Sequence, residues 1–539
     1  NAGFLEANAA SGLRKCLAED FSSIYVFHLR GNQRTSGERS RKEGGKIFGS
    51  GSRAPIAISL LVKSPDSDRR GEIFFHDVGD YLTREEKLNK VANYASVANI
   101  ANWLSISPDK HGDWLNQRND NFERLVALGD KKKGSELTIF ANHSRGVMTS
   151  KDSWLFNFSR NKLTQNAQAM IDFYASEQER YQSVFTGSKL ELPSPSDFFD
   201  RDPTRIAWDG ELLLACAKGK SLMFDADKMQ IALYRPFNKQ WYYSEKNINL
   251  RLYQMPRLFP DATTDNVVII INENWKETGN IALMANSSPD LHSNGDAQCF
   301  PLYLYETLPD ASALDLIADQ ASVHPDRRDA ITDAGLAHFQ SAYPGEAISK
   351  EDLFYYVYGL LHSPDYRERY ADNLSKELPR IPRVKSAADF WAFSKAGREL
   401  ADLHLNYETV PMYADAKIDG GGKTLTDADY RVEKMKYGKR GKDKDLTTLI
   451  YNAKITVTGI PLAAYDYVVN GKPALDWVVE RQCVKTDKDS GIVNDANDWA
   501  IETMNNPRYP LELFLRVTTV SLETMAIVRS LPALAILPN

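Results

Sequence analysis

The chain has 539 residues, 42% of them hydrophobic and 26% charged, with a formal net charge of −6. That composition is ordinary for a globular protein, and the mildly acidic balance excludes a wholly basic nucleic-acid coat while leaving local basic patches open. The length exceeds what one core supports, so about two to four domains are expected.

In chain order, LRKCLAEDF (13–21) spaces its apolar residues at helical intervals. SSIYVFHL (22–29) is rich in β-formers and predicts a strand. GNQRTSGERSRKEGGKIFGSGSR (31–53) is a basic, glycine-rich loop. PIAISLLV (55–62) is a near-continuous apolar run, which predicts a strand covered on both faces. EIFFHDVG (72–79) predicts a third strand and YLTREEKLNKVANYASVANIANWL (81–104) a helix leading away. These pieces fit the back half of an α/β sheet, with a domain boundary near residue 95.

Residues 96–310 alternate short β-rich pieces (LTIFANHS, SWLFNFS, QIALYRPF, QWYYSE, NVVIIIN, FPLYLY) with helical patches such as 163–181, and Pro-Ser-Pro-Ser at 193–196 predicts a surface loop. From 311 to 539 the pattern is mainly helical: ALDLIADQA, EDLFYYVYGLLHS, AADFWAFSKAGRELADLHL and ELFLRVTTVSLETMAIVRSL. A β-like insert with a basic run occupies 430–457. The expected class is α+β: a truncated α/β part, a mixed α+β part, then a helical part. No internal repeat is visible.

Several familiar motifs fail on their chemistry. A phosphate-binding GxxxxGK loop needs a following Ser or Thr to hold magnesium, but Gly45-Lys46 is followed by Ile47 and position 40 is Ser. A dinucleotide fingerprint must open a helix, whereas Gly49 and Gly51 precede a strand. Asp80 with Glu85, Glu86 and Lys87 spells a nuclease-like D…ExK inside an amphipathic pattern, so a surface helix is the expectation. Asn506-Pro507-Arg508-Tyr509 reads as a helix-entry turn. Cys16, Cys216, Cys299 and Cys483 are far apart, and the nine histidines show no metal spacing. Neither disulfides nor structural zinc are expected, and a reducing cytoplasm fits. No run approaches membrane-spanning length, and NAGFLEANAASG at the start has no signal-peptide pattern. The expectation is a piece of a longer cytoplasmic protein.

Two stretches carry concentrated charge. Residues 30–63 hold eight basic side chains, Arg30, Arg34, Arg39, Arg41, Lys42, Lys46, Arg53 and Lys63, against Glu38 and Glu43. As a bare pattern this fits a solvated loop or a phosphate-contacting loop equally, and the glycines tilt it toward close backbone approach. In 233–260, Arg235, Lys239, Arg251 and Arg257 are interleaved with Tyr234, Phe237, Trp241, Tyr242, Tyr243 and Tyr253. Such a mixture suits a groove that stacks on bases and clamps phosphates, but composition slightly favours an ordinary β-rich core.

The loop at 31–53 closely resembles the segment that follows the catalytic motif in the methyltransferase part of type ISP restriction–modification enzymes. The resemblance continues through GVMTSKDSWLFNFS (146–159), LYRPFNKQWYY (233–243), SPDLH (288–292), FYYVYGLLHSPDYRERYADNL (354–374), AGRELADLHLNYE (396–408) and VVNGKPALDWVVERQCVKTDKDSGIVNDANDW (468–499). It implies that residues 1–95 are the end of a γ-type adenine-N6 methyltransferase domain, and that 96–310 and 311–539 form the target recognition domain. It further implies a parent that uses S-adenosylmethionine, ATP and magnesium, with the cofactor-binding and Asn-Pro-Pro-Tyr motifs upstream of residue 1. This chain alone is therefore expected to bind none of them and to lack methyltransferase, nuclease and ATPase activity. Double-stranded DNA is the implied partner, with other domains of the same parent.

In adenine-N6 methyltransferases generally an aromatic residue just before this late strand stacks on the flipped target base, and the resemblance puts Phe48 at the matching place. Read from residues alone, Phe48 could equally anchor the loop in the core. The DNA-binding candidates are Arg30, Asn32, Arg34, Arg41, Lys42, Lys46, Arg53, Arg235, Lys239, Arg251, Arg257, Lys439, Arg440 and Lys442. A protein-interaction scaffold docking other parent domains is the second reading, and the −6 charge favours it.

Overall fold

In the computed structural model, which describes residues 1–538 apart from 36, 50, 65–69, 131–135, 185–193, 274, 276–278, 280, 281, 306–326 and 423, the chain opens with α1 (Ser11–Asp20) and β1 (Ser23–Arg30). Then come α2 (Gly37–Glu43), β2 (Ile56–Val62), β3 (Glu72–Asp77), α3 (Arg84–Tyr94) and β4 (Leu104–Ile106). The sheet order is β2-β1-β3-β4. β1 runs antiparallel to β2 and parallel to β3, and β4 runs antiparallel to β3.

Two expectations change here. β2 is the outermost strand of its sheet, and Ile58, Leu60, Leu61 and Val62 are 47, 46, 38 and 37% exposed. An apolar run records that a strand suits being covered, not that this chain supplies the cover. The helix expected over 81–104 is shorter. A Thr83–Glu86 capping box starts it, and Ala95 at φ +56 stops it. The chain then returns to the sheet as β4, so this unit extends past residue 95, and Trp114 packs in its core with Ile24, Val26 and Ile73.

The middle contributes β5 (Ser144–Arg145), β6 (Phe156–Asn157), α4 (Arg160–Ser183), β7 (Met229–Arg235), β8 (Asn238–Tyr243), β9 (Val268–Asn272), β10 (Ala282–Ala285), β11 (Ser288–Pro289) and β12 (Ala297–Pro301). They form two sheets, β10-β9-β12-β5 and β11-β7-β8-β6. LTIFANHS makes only isolated bridges before β5, and SWLFNFS begins as a single helical turn, Asp152–Leu155, before β6. Pro195–Phe198 forms a helical turn where a loop was expected.

The last part supplies α5 (Lys350–His362), α6 (Ala387–Leu405), β13 (Lys417–Asp419), β14 (Lys436–Arg440), β15 (Asp443–Ile450), β16 (Thr456–Thr458) and α7 (Tyr509–Ser530). Its sheet runs β13-β16-β15-β14. α5 and α6 cross in backbone contact: a Cβ on Gly359 would lie 2.1 Å from the Phe393 carbonyl, and one on Gly397 1.9 Å from that of Tyr355. The helix expected at 313–321 lies outside the described residues. Ile269 and Phe300 of the middle share one core with Leu353, Phe393, Val457 and Phe514 of the last part. A separate joint ties the first sheet to the rest. The buried Asp113 carboxylate receives Arg14 of α1 at 2.7 Å, Arg118 at 3.0 Å and Lys376 at 2.7 Å.

Candidate nucleic-acid interface

The loop between β1 and β2 is built, not loose. Gln33 N–H donates to the Arg53 carbonyl, and Asn32 N–H to the Glu43 carboxylate. Gly45 N–H reaches the Leu82 carbonyl at 2.9 Å. Gly44 has φ +66, and a Cβ there would stand 2.2 Å from Leu82 O; one on Gly45 would stand 2.4 Å from Arg84 N. The close approach that the glycines permit is therefore to the start of α3, not to a ligand. Lys87 is the second clamp. Its buried ammonium donates to the carbonyls of Glu43 and Gly45 at 2.6 and 2.8 Å. Burial pulls its pKa below the ordinary lysine value, with Glu43 opposing. Arg84 Nε fixes the Ile47 carbonyl at 2.7 Å.

The anchor of this loop is Ile47, 6% exposed, and Phe48 projects beside it at 57%. Arg34, Arg41, Lys42, Lys46 and Arg53 are exposed on the same loop. Arg30 differs. It is half-buried at the loop's base and ion-paired with Asp77 at 2.8 Å and with Asp80. Burial would raise Asp77, but hydrogen bonds from His28, the Gly79 N–H and Arg30 outweigh it and hold the carboxyl at about 2. Asn32 uses its carboxamide oxygen to accept the Arg34 N–H at 3.0 Å. Both residues shape the loop.

The stretch 233–260 is assembled differently. Tyr242 and Tyr243 are 0% exposed and Phe237 1%. Arg235 is 2.5 Å from Asp290, which is itself buried, and lies over the Tyr234 ring at 3.9 Å. Lys239 pairs with Glu408 at 2.7 Å and Arg251 with Glu211 at 2.6 Å. Of the five cations of this stretch, Lys246 and Arg257 meet no carboxylate among the described residues. Phe237, Tyr242 and Tyr243 belong to the core of the β7–β8 sheet, whereas Tyr253 is 38% exposed.

The basic run at 434–444 forms the β14–β15 hairpin, turning at Gly441 with φ +62. Lys439, Arg440 and Lys442 are exposed at its tip; Arg440 lies 3.5 Å from Asp445 and is 78% exposed. Lys434 and Lys436 line a shallow groove beside it, with Arg431 and Lys454. Those last two are ion-paired to Asp495 and Asp429.

Sequence reasoning placed Lys87 on a surface helix and so missed the clamp; its spacing from Thr83 carried no signal for it. It also missed the carboxylates that neutralise 233–260, although SPDLH contains Asp290. Among the described residues no group of His, Cys, Asp or Glu could hold a metal ion, and no helix is long and apolar enough to cross a membrane.

Residues 138–513 match the model of the Type ISP C-terminal specificity domain. The fold is similar to a nuclease-deletion mutant of the Type ISP restriction-modification enzyme LlaGI in complex with a DNA substrate mimic, at 38% identity and TM-score 0.83, over 99% of this chain and 39% of that one. It is similar to the ATP-dependent Type ISP enzyme LlaBIII bound to DNA, at 34% identity and TM-score 0.84, over 100% of this chain and 33% of that one. A DrdV–DNA complex matches at 29% identity and TM-score 0.81, over 99% and 50%. The chain thus spans a third to a half of the length of these proteins. No curated protein matches.

Proposed function

The chain belongs to the Type ISP restriction–modification family, and from that premise we propose that it reads a short asymmetric site in double-stranded DNA for a longer enzyme. The carrying observation is the loop at 31–53: a clamped scaffold holding one exposed aromatic ring, Phe48, among exposed cations. Arg34, Arg41, Lys42, Lys46 and Arg53 contact phosphates, which position a duplex without reading it. Phe48 stacks on the extruded adenine, offsetting part of the few kcal/mol that flipping costs. Lys439, Arg440 and Lys442 track the backbone at a second place. Arginine and Asn/Gln side chains elsewhere read bases in the major groove.

In the same proposal, the first unit ends an adenine-N6 methyltransferase domain, and the rest is its target recognition region. The parent methylates adenine and cleaves DNA with ATP-driven translocation. The loop glycines do not fit S-adenosylmethionine or ATP, because α3 fills the space a nucleotide cradle would leave open. Those cofactors and magnesium are assigned to other parts of the parent. The scaffold reading has one observation of its own. The open apolar face of β2 suits packing against another segment of the parent, and both roles are compatible.

The test is selection of bound duplexes from a random-sequence pool by the 539-residue chain. One enriched asymmetric site is the expected result. Retention without any enriched sequence overturns the reading function.

A further inference from the structure

A cavity of about 390 Å³ opens between β7–β8, the turn at 286–288 and the segment Trp499–Thr503. That volume falls within the range of about 300–1,000 Å³ typical of small-ligand sites. The segment Trp499–Thr503 is a single π-helical turn, a feature that recurs at functional sites. It brings Trp499, Thr503 and Met504 to one wall. Trp241 forms the adjoining wall, its indole N–H donating to Thr503 Oγ1 at 3.0 Å and its ring 6.5 Å from that of Trp499.

Two polar groups in this mixed lining are left over. Gln230 is 8% exposed, and its carboxamide makes no hydrogen bond to a described residue. The Ser287 hydroxyl is buried and also without a partner among the described residues. Buried polar groups are almost always satisfied, so the buried Ser287 hydroxyl, beside a Gln230 carboxamide that faces the cavity, leaves hydrogen-bonding capacity for a ligand. A carboxamide offers a donor and an acceptor side by side, which matches the edge of a heterocyclic base.

Charge narrows the choice. Lys239 reaches the cavity but is neutralised by Glu408 at 2.7 Å, and Asp261 also lines it. No uncompensated cation remains in the lining to hold a phosphate. We propose that this cavity binds a neutral, flat heterocycle of nucleobase size, with the Gln230 carboxamide and Ser287 hydroxyl on its edge and Trp241 against its face. The base could come from a free nucleoside or from an unstacked position in a nucleic-acid strand.

Calorimetry of the 539-residue chain with adenosine, guanosine, cytidine and thymidine tests this without a phosphate in the probe, so it is independent of duplex binding. At least one nucleoside should bind saturably. Gln230→Ala should weaken it about tenfold, the order expected for lost hydrogen bonds, with an unchanged melting temperature; Ser287→Ala should weaken it less. If Gln230→Ala fails to fold, Ser287→Ala alone decides. Single-stranded trinucleotides separate the sources: tighter binding than the nucleoside assigns the site to a strand, equal or weaker binding to a free ligand. No heat from any of the four nucleosides overturns the proposal, as does binding undiminished in the folded variants.

Discussion

Residues 31–53 and residues 233–260 both combine arginines and lysines with aromatic side chains, yet the first presents most of its charges to solvent and the second sets most of its own against carboxylates. In the loop, five cations and Phe48 stand exposed on one segment, and the clamps are backbone carbonyls held by Lys87 and Arg84. In 233–260, Phe237, Tyr242 and Tyr243 fill the core, and three of the five cations meet Asp290, Glu408 or Glu211. Cation density does not make a phosphate surface. What decides is how far each charge is exposed and how it is paired, and that is a property of the fold.

The largest effect should come from the enclosed side. Arg235→Ala leaves Asp290 buried without its partner, which costs about 3–5 kcal/mol of stability. Chemical denaturation should show it; a stable variant that merely binds DNA weakly would erase the distinction between the regions. On the exposed side, Phe48→Ala should leave the melting temperature unchanged, since its ring is mostly in solvent. In the longer enzyme it should weaken engagement of the target base by about 1–3 kcal/mol, while Phe48→Trp or Phe48→Tyr retains most of it. A 2-aminopurine reporter at the target base reads this directly, and an undiminished signal removes the stacking role.

Smaller effects sharpen the contrast. Replacing Lys439, Arg440 and Lys442 together with Ala should reduce the salt slope by up to about three units, one for each phosphate contact. Arg34→Ala and Arg41→Ala should each reduce it by about one unit, equally for all sequences. The loop's foundation should show in acid. Asp77 is held at about 2 against an ordinary 3.8, so the stability it contributes is complete above 3.8 and is lost as pH falls through that window. Asp77→Asn should flatten the melting-temperature profile between those two values.

The sequence announced most regular elements because their periodicity is local. α5, α6 and α7 follow their apolar spacing. It failed where the deciding contact is distant. Asp290 lies 55 positions from Arg235, and Glu408 169 from Lys239. The openness of β2 was equally illegible, since its residues describe the surroundings it suits rather than those it has. The exposure of Phe48 was illegible too: beside Ile47 it could be anchor or projection, and the backbone turns Ile47 inward.

The most direct test of the account is the salt dependence of duplex binding by the 539-residue chain, measured by anisotropy between about 50 and 200 mM salt. The expected result is a linear fall of log Kobs with log salt, about 0.9 units per contacted phosphate. It should become shallower when the exposed cations of 31–53 and 439–442 are removed, and stay unchanged in Arg251→Ala, whose charge is paired with Glu211. A flat dependence, or one that responds to Arg251 and not to the loop, would contradict it.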